Sequence, residues 1–302
     1  MDTLFLVNGG SGKFASGKDR ADFTTLVHSR FPGASVVFTR AAADIGDQIR
    51  NAPGHFDMIV ACGGDGTISS IATEIAGTDT VLGVVPCGTF NHFAKDLGIP
   101  LDHEAALDLL RAGNVVSVDV GEVNGRCFVN NSGLGMYPDA VVMRDARRER
   151  GTRKWIAAII AGLRSLRRYR ILAIKVSVDG AALLRRTPIV FVGNNEYTMK
   201  TPFEPKRASL NDGELCLYIP HPQGPLRLVW FTLRAMFGGL KSAEEFDIVR
   251  APSSTIESKR SRLRVALDGE IEMLSPPLEY RARPGALRVV VPVHPGPKDS
   301  PQ

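Results

Sequence analysis

Short apolar runs that stop at glycine or proline, each followed by a segment with helical spacing, recur through the first third of the chain. Leu4 to Val7, Ser35 to Thr39, Met58 to Cys62 and Val81 to Val85 read as strands. Asp19 to Arg30, Ala41 to Ala52, Ile68 to Ile75 and Asp102 to Arg111 read as helices. Strand and helix in strict alternation predict a doubly wound parallel sheet, which binds ligands at the carboxyl ends of its strands. From about Ser117 the texture changes to short alternating runs separated by Gly, Pro, Asn and Asp: Arg126 to Asn130, Ala173 to Val178, Pro188 to Val192, Leu215 to Ile219, Arg262 to Leu267 and Ile271 to Tyr280. They predict an antiparallel sandwich or barrel. One helical segment interrupts them, Arg144 to Arg170, where Arg and Lys flank the apolar Trp155 to Leu163. A basic-ended segment of this kind docks on an anionic membrane surface or packs as a half-buried helix.

Composition narrows this picture. A chain of 302 residues, 44% hydrophobic and 23% charged, is long enough for two cores. The net charge of +5 fits an anionic partner, a nucleotide or an acidic lipid surface, and nothing supports nucleic acid. No run approaches the roughly 18 apolar residues of a membrane span, so the expected location is cytoplasmic. Cys62, Cys87, Cys127 and Cys216 are scattered without metal-ligand spacing and read as buried thiols.

The candidate chemistry lies where strands meet glycine. Met58 to Cys62 runs into Gly63-Gly64-Asp65-Gly66-Thr67, and Leu4 to Val7 into Asn8-Gly9-Gly10-Ser11-Gly12. Glycine admits close backbone approach, and the amides at a helix start favour an anion, so phosphate is the natural guest. A carboxylate inside such a loop repels phosphate unless a cation lies between, so Asp65 with Thr67 points to Mg²⁺ plus nucleotide. An ordinary βα turn with Asp65 as a helix cap uses the same residues. The third rim, Pro86-Cys87-Gly88-Thr89-Phe90-Asn91, presents a hydroxyl and an amide.

These segments, together with Leu97-Gly98-Ile99-Pro100, Asn211-Asp212-Gly213 and Asp268-Gly269-Glu270, resemble the diacylglycerol kinase-like lipid kinases over nearly the whole chain. The resemblance implies an α/β chain: a doubly wound nucleotide domain over 1–118, with 287–302 returning to it, and a β-sandwich domain over 119–286. ATP and a lipid headgroup would meet between them. It places ATP against Asn8, Gly9, Gly10, Ser11, Gly12, Thr39, Gly63, Gly64, Asp65, Gly66, Thr67, Ile68, Ser69, Ser70, Thr89 and Asn91. Asp65 and Asp119 would join a Mg²⁺ and water network, and Asp212, with the carbonyls of Ser209 and Glu214, would hold a structural Mg²⁺. Either Asp268 or Glu270 would be the general base; without the resemblance, Asp268-Gly269 reads as a hairpin turn.

Three departures stand out from the family pattern. Gly9 replaces a proline, Ser69 and Ser70 stand where Asn-Glu is common, and His92 replaces an Asp in the metal network. A neutral imidazole is a poor Mg²⁺ ligand. The expected activity is ATP-dependent phosphorylation of a membrane lipid such as diacylglycerol, at the inner membrane face, with a homodimer as the candidate assembly. Two rivals share the motifs: a nucleotide-responsive lipid-binding regulator that has lost transfer, and a kinase of a soluble alcohol in the manner of NAD kinases.

Overall fold

The computed structural model describes residues 2–9, 14, 16–40, 44–52, 54–136, 171–198, 206–207, 209–221, 224 and 246–293. The basic-ended segment 144–170, the loop residues Gly10, Ser11 and Gly12, and the tail from His294 lie outside them. The chain divides into two compact units, Met1–Val118 with Gly285–Gln302, and Asp119–Pro284.

The first unit carries β1 (Thr3–Asn8), α1 (Gly17–Arg30), β2 (Ser35–Thr39), α2 (Ile45–Arg50), β3 (Met58–Gly63), α3 (Asp65–Ile75), β4 (Val81–Pro86), α4 (His92–Asp96) and α5 (His103–Ala112). Its strands run parallel in the order β2-β1-β3-β4, joined by the end of a long last strand, β18 (Leu278–Val291), through Arg288 and Val289. Helix starts follow cap chemistry: Ser16 accepts from the Asp19 amide before α1, and Asp102 from the Ala105 amide before α5. Phe5, Val7, Val60, Cys62, Val85, Leu107 and Leu110 share one core with α1 residues Phe23 and Val27. The chain leaves β1 toward β2 on one side and returns to place β3 on the other. The crevice of a doubly wound sheet therefore falls at the carboxyl ends of β1 and β3.

The second unit is a sandwich of two antiparallel sheets. One follows the order β14 (Phe246–Ala251), β13 (Leu215–Pro220), β10 (Ile189–Asn194), β7 (Asn131–Gly135), β16 (Leu263–Leu267), β17 (Glu270–Leu274). The other pairs the start of β18 with β15 (Ser253–Ser258), then β8 (Leu172–Val178) and β9 (Ala181–Thr187), and is joined by β5 (Asn114–Val123) and β6 (Arg126–Phe128). A two-stranded ribbon, β11 (Tyr197–Thr198) with β12 (Lys206–Arg207), stands apart. Alternate residues of both sheets form one core, from Phe128 and Leu134 through Val190, Leu217 and Val265 to Ile256 and Tyr280.

Several expected boundaries shift. The run Ile271 to Tyr280 is two strands, because Pro276 and Pro277 cannot donate to a ladder. The returning segment from Leu287 is the end of β18, one strand that serves both units. Strand β7, Asn131-Ser132-Gly133-Leu134-Gly135, has almost no apolar content, yet it sits in mid-sheet between β10 and β16. Burial comes to it from its neighbours, which no local pattern reports.

Candidate functional site

In the first unit three loops converge at the carboxyl ends of β1, β3 and β4. Gly63 ends β3, and a Cβ there would collide with Thr67, which folds back from the first turn of α3. Gly64 caps that helix: its carbonyl accepts from the amides of Thr67 at 3.0 Å and Ile68 at 3.2 Å. The amides of Asp65 and Gly66 precede the first intrahelical bond. The Gly63 carbonyl accepts from Cys87 at 2.9 Å and Gly88 at 3.2 Å, which brings the β4 loop alongside. The two loops then touch backbone to backbone: a Cβ on Gly88 would lie 2.5 Å from the Gly64 Cα and 2.7 Å from Asn91 Oδ1. The first loop joins through Asn8, whose Nδ2 donates to Thr67 Oγ1 at 3.4 Å, and through Gly9, whose amide donates to the Thr39 carbonyl at 2.9 Å. The result is a cradle walled by bare main chain at a helix N-terminus, an arrangement that favours an anion.

Asp65 is 8% exposed, and its carboxylate accepts from the amides of His92 at 3.1 Å and Phe93 at 3.0 Å. The position where the family pattern has Asp thus meets Asp65 through its main-chain N–H, a contact that any residue there except proline supplies. The His92 ring lies parallel to Phe90, with centroids 5.5 Å apart. Asn91 adopts positive φ, 49°, and donates to the Gly88 carbonyl at 3.0 Å, while its Oδ1 is buried without a partner among the described residues. Not every residue expected at the cradle presents a side chain to it. Ile68 is buried in the core, the Ser70 hydroxyl bonds the Gly66 carbonyl at 3.0 Å, and the Thr39 hydroxyl bonds the Val7 carbonyl at 3.4 Å. Ser69 is buried and Thr89 is exposed. Cys62, beneath Gly63, is fully enclosed, and burial pushes its thiol well up, so it stays protonated and unreactive.

Two turns carry the polar chemistry of the second unit. Asp119 on β5 is 2% exposed; its Oδ2 accepts from the Gly213 amide at 2.7 Å and Asn195 Nδ2 at 3.3 Å, and its amide donates to the Leu210 carbonyl at 2.9 Å. The turn that carries Asp212 is therefore fastened to β5 at Leu210 and Gly213, with Asp212 and Glu214 exposed. The second turn is the β16–β17 hairpin. Its two central residues, Asp268 at φ 47° and Gly269 at 94°, match the Asp-Gly preference of a type I′ turn. The Asp268 carboxylate accepts three amides, Val129 at 2.7 Å, Asn130 at 2.8 Å and Asn131 at 2.9 Å. Glu270 opens β17 and is exposed, and its carboxylate has no hydrogen-bond or ion-pair partner among the described residues.

Sequence reasoning missed the residues behind these turns. Asn194, which ends β10, and Arg207 are buried and both bond the Val129 carbonyl, and Asn195, buried next to Asn194, bonds the Asp119 carboxylate. An Asn-Asn pair ending an apolar strand is the one local signal that could have marked them.

Residues 2–123 match the family model of the diacylglycerol kinase catalytic domain. Residues 133–291, more than half of the chain, match that of the YegS C-terminal NAD kinase beta sandwich-like domain. The chain is 34% identical over 247 residues to a probable lipid kinase YegS-like protein of Pseudomonas fluorescens, spanning 80% of this chain and 79% of that one. It is 43% identical over 89 residues to a diacylglycerol kinase of Bacillus subtilis, 27% of this chain and 28% of the relative. A diacylglycerol kinase crystal structure from Bacillus anthracis Sterne superposes with a TM-score of 0.67 at 21% identity, covering 96% of both chains. Yeast NADH kinase superposes with a TM-score of 0.55 at 13% identity, covering 97% of this chain and 84% of that one. These two likenesses are of fold.

Proposed function

The chain belongs to the diacylglycerol kinase-like lipid kinases, phosphotransferases with an alcohol acceptor, and on that premise we propose that it transfers the γ-phosphoryl group of ATP to the hydroxyl of a membrane lipid such as diacylglycerol. The observation that carries this reading is the contact of Gly64 with Gly88, which bares the main chain at the start of α3 beside Asp65. The triphosphate lies in that cradle, held by Asn8, Gly9 and the amides that follow Gly64. Asn91 Oδ1, a buried acceptor without a donor among the described residues, suits a ribose hydroxyl or a metal-bound water.

The donors also fit Mg²⁺. Two amide bonds leave Asp65 about half of the four acceptor sites of a carboxylate. Among the described residues no three of His, Cys, Asp and Glu cluster. A cation here relies on phosphate oxygens and water for most of its coordination, as Mg²⁺ commonly does. Bound Mg²⁺ offsets charge on the transferring group. At the other turn Asp212, with the carbonyls of Ser209 and Glu214, would supply oxygen ligands to a structural Mg²⁺; the Glu214 carbonyl also accepts from the Asn195 amide at 3.0 Å.

The general base is Glu270. Three amide donors on Asp268 stabilise its charged form and occupy most of its lone pairs, which suits an anchor better than a proton acceptor. Glu270 is exposed and free to take the proton of the attacking hydroxyl. The lipid comes from a bilayer, and the proposed membrane contact is the basic ends of 144–170. Incubation of the protein with a membrane extract, Mg²⁺ and γ-labelled ATP tests the reading. Mass spectrometry should find a phosphorylated lipid carrying the label; label only in water-soluble alcohols such as NAD would overturn it.

A further inference from the structure

The peptide unit between Val129 and Asn130 is held at both ends by charge. Its N–H donates to Asp268 Oδ1 at 2.8 Å. Its carbonyl, on Val129, accepts from the Arg207 guanidinium through Nη1 and from Asn194 Nδ2 at 3.0 Å. Carbonyl and N–H of a trans peptide point in opposite directions, so guanidinium, peptide and carboxylate form one line with the peptide dipole aligned between cation and anion. The next peptide repeats the pattern with neutral donors. Its carbonyl, on Asn130, accepts from the Asn194 amide at 2.9 Å and the Tyr197 hydroxyl at 3.0 Å, and its N–H, on Asn131, donates to Asp268 Oδ1 at 2.9 Å. A second fork of Arg207, Nη2, meets Asn130 Oδ1 at 3.1 Å, so the guanidinium grips both the main chain and the side chain of this link. Arg207 is 9% exposed, in a setting where hydrogen bonds in series polarise one another.

We propose that Arg207 is a positioning residue for phosphoryl transfer: through the Val129–Asn130 peptide it fixes the Asp268 carboxylate, and with it the hairpin that carries Glu270. The inference rests on the reading of Glu270 as base. Arginine is suited to the task because its planar fork reaches two acceptors at once, whereas a lysine ammonium supplies charge without the fork. The lever is the hairpin. A two-residue turn fixes the register of both strands, so a displaced Asp268 moves Glu270, two residues on, with it.

Three variants decide the matter: Arg207→Met, Arg207→Lys and Asp268→Asn. The readouts are lipid-kinase kinetics and the ¹H–¹⁵N amide resonance of Asn130 in protein labelled at asparagine. Arg207→Met should lower kcat at least tenfold with KM for ATP within twofold of the parent, and move the Asn130 amide proton upfield. Arg207→Lys should recover part of both. The double variant with Asp268→Asn should lose little more kcat than the worse single one, since the two groups act as a unit. A folded Arg207→Met protein with unchanged kcat and an unmoved Asn130 amide overturns the proposal, as does strict additivity. Should Arg207→Met fail to fold, Tyr197→Phe removes one donor from the neighbouring carbonyl and should shift the Asn131 amide; an unmoved Asn131 resonance counts against the relay. If the parent protein phosphorylates no lipid, the base assignment falls and with it the catalytic role of Arg207, whereas an Asn130 shift would still establish the peptide link.

Discussion

Adding one methyl group at Gly88 should disable nucleotide binding more than it destabilises the fold. The new Cβ would stand 2.5 Å from the Gly64 Cα, 2.7 Å from Asn91 Oδ1 and 3.2 Å from the Gly64 amide nitrogen. Carbon atoms sit comfortably at about 3.5–4.0 Å, so one of the loops must retreat by roughly 1 Å. The nearest of these atoms belongs to main chain, tied by the Gly63 carbonyl to Cys87 and Gly88 and by the Gly64 carbonyl to α3, so a side-chain rotation offers no relief. Overpacking of this kind costs about 1–3 kcal/mol of stability. Displacement of a substrate-positioning group by about 1 Å can cost on the order of 100-fold in rate. Gly33→Ala is the matched control, since a Cβ there meets nothing within 4 Å and the backbone is not at positive φ. Measured side by side, Gly88→Ala should raise KM for ATP or lower kcat/KM by tens of fold while melting only a few degrees earlier. Gly33→Ala should match the parent in both. Parental ATP kinetics and melting in the Gly88→Ala protein would mean that the loops do not meet as described.

Four further outcomes are expected. Glu270→Gln should lower lipid phosphorylation by about 10²–10⁴ with ATP binding intact. Asp268→Ala should lower the melting temperature, because three amides lose a charged acceptor, and should lower kcat less than Glu270→Gln does; a larger rate loss than that of Glu270→Gln with melting unchanged would make Asp268 the base. Burial pushes the Asp247 carboxyl up, but the hydrogen bonds from Arg185 at 2.7 Å and His221 at 2.8 Å outweigh it and hold the group below its ordinary 3.8. A depressed folded-state value stabilises the fold above the ordinary carboxylate range and ceases to do so as pH falls through it. The melting temperature of the parent should therefore drop below about pH 4 more steeply than that of Asp247→Asn, and parallel curves would discount the pair. Neutralising Arg147, Arg148, Arg167 and Arg168 together should weaken sedimentation with anionic liposomes; unchanged binding would place the membrane contact elsewhere.

The alternation of apolar runs with helical spacing determined the parallel sheet of the first unit, and glycine at the strand ends marked where its loops turn. These are local signals: a buried parallel strand reads as an unbroken apolar run, and a tight turn needs glycine whatever surrounds it. The β-rich texture after Ser117 likewise announced the second unit, though β7 was invisible because its burial comes wholly from β10 and β16. Only the tertiary structure decided what each carboxylate does. In the sequence Asp268 and Glu270 are equivalent, one glycine apart; in the fold one meets three amides brought from 137 to 139 residues away and the other meets none among the described residues. His92 stands where the resemblance has an Asp, and in the fold the position gives Asp65 a backbone N–H, which a side-chain alphabet does not record. Arg207 left no trace in the sequence, and Asn194 no more than an Asn-Asn pair, for the same reason. Their partners are main-chain carbonyls remote along the chain, and hydrogen bonds to main chain acquire meaning only once folding has placed it.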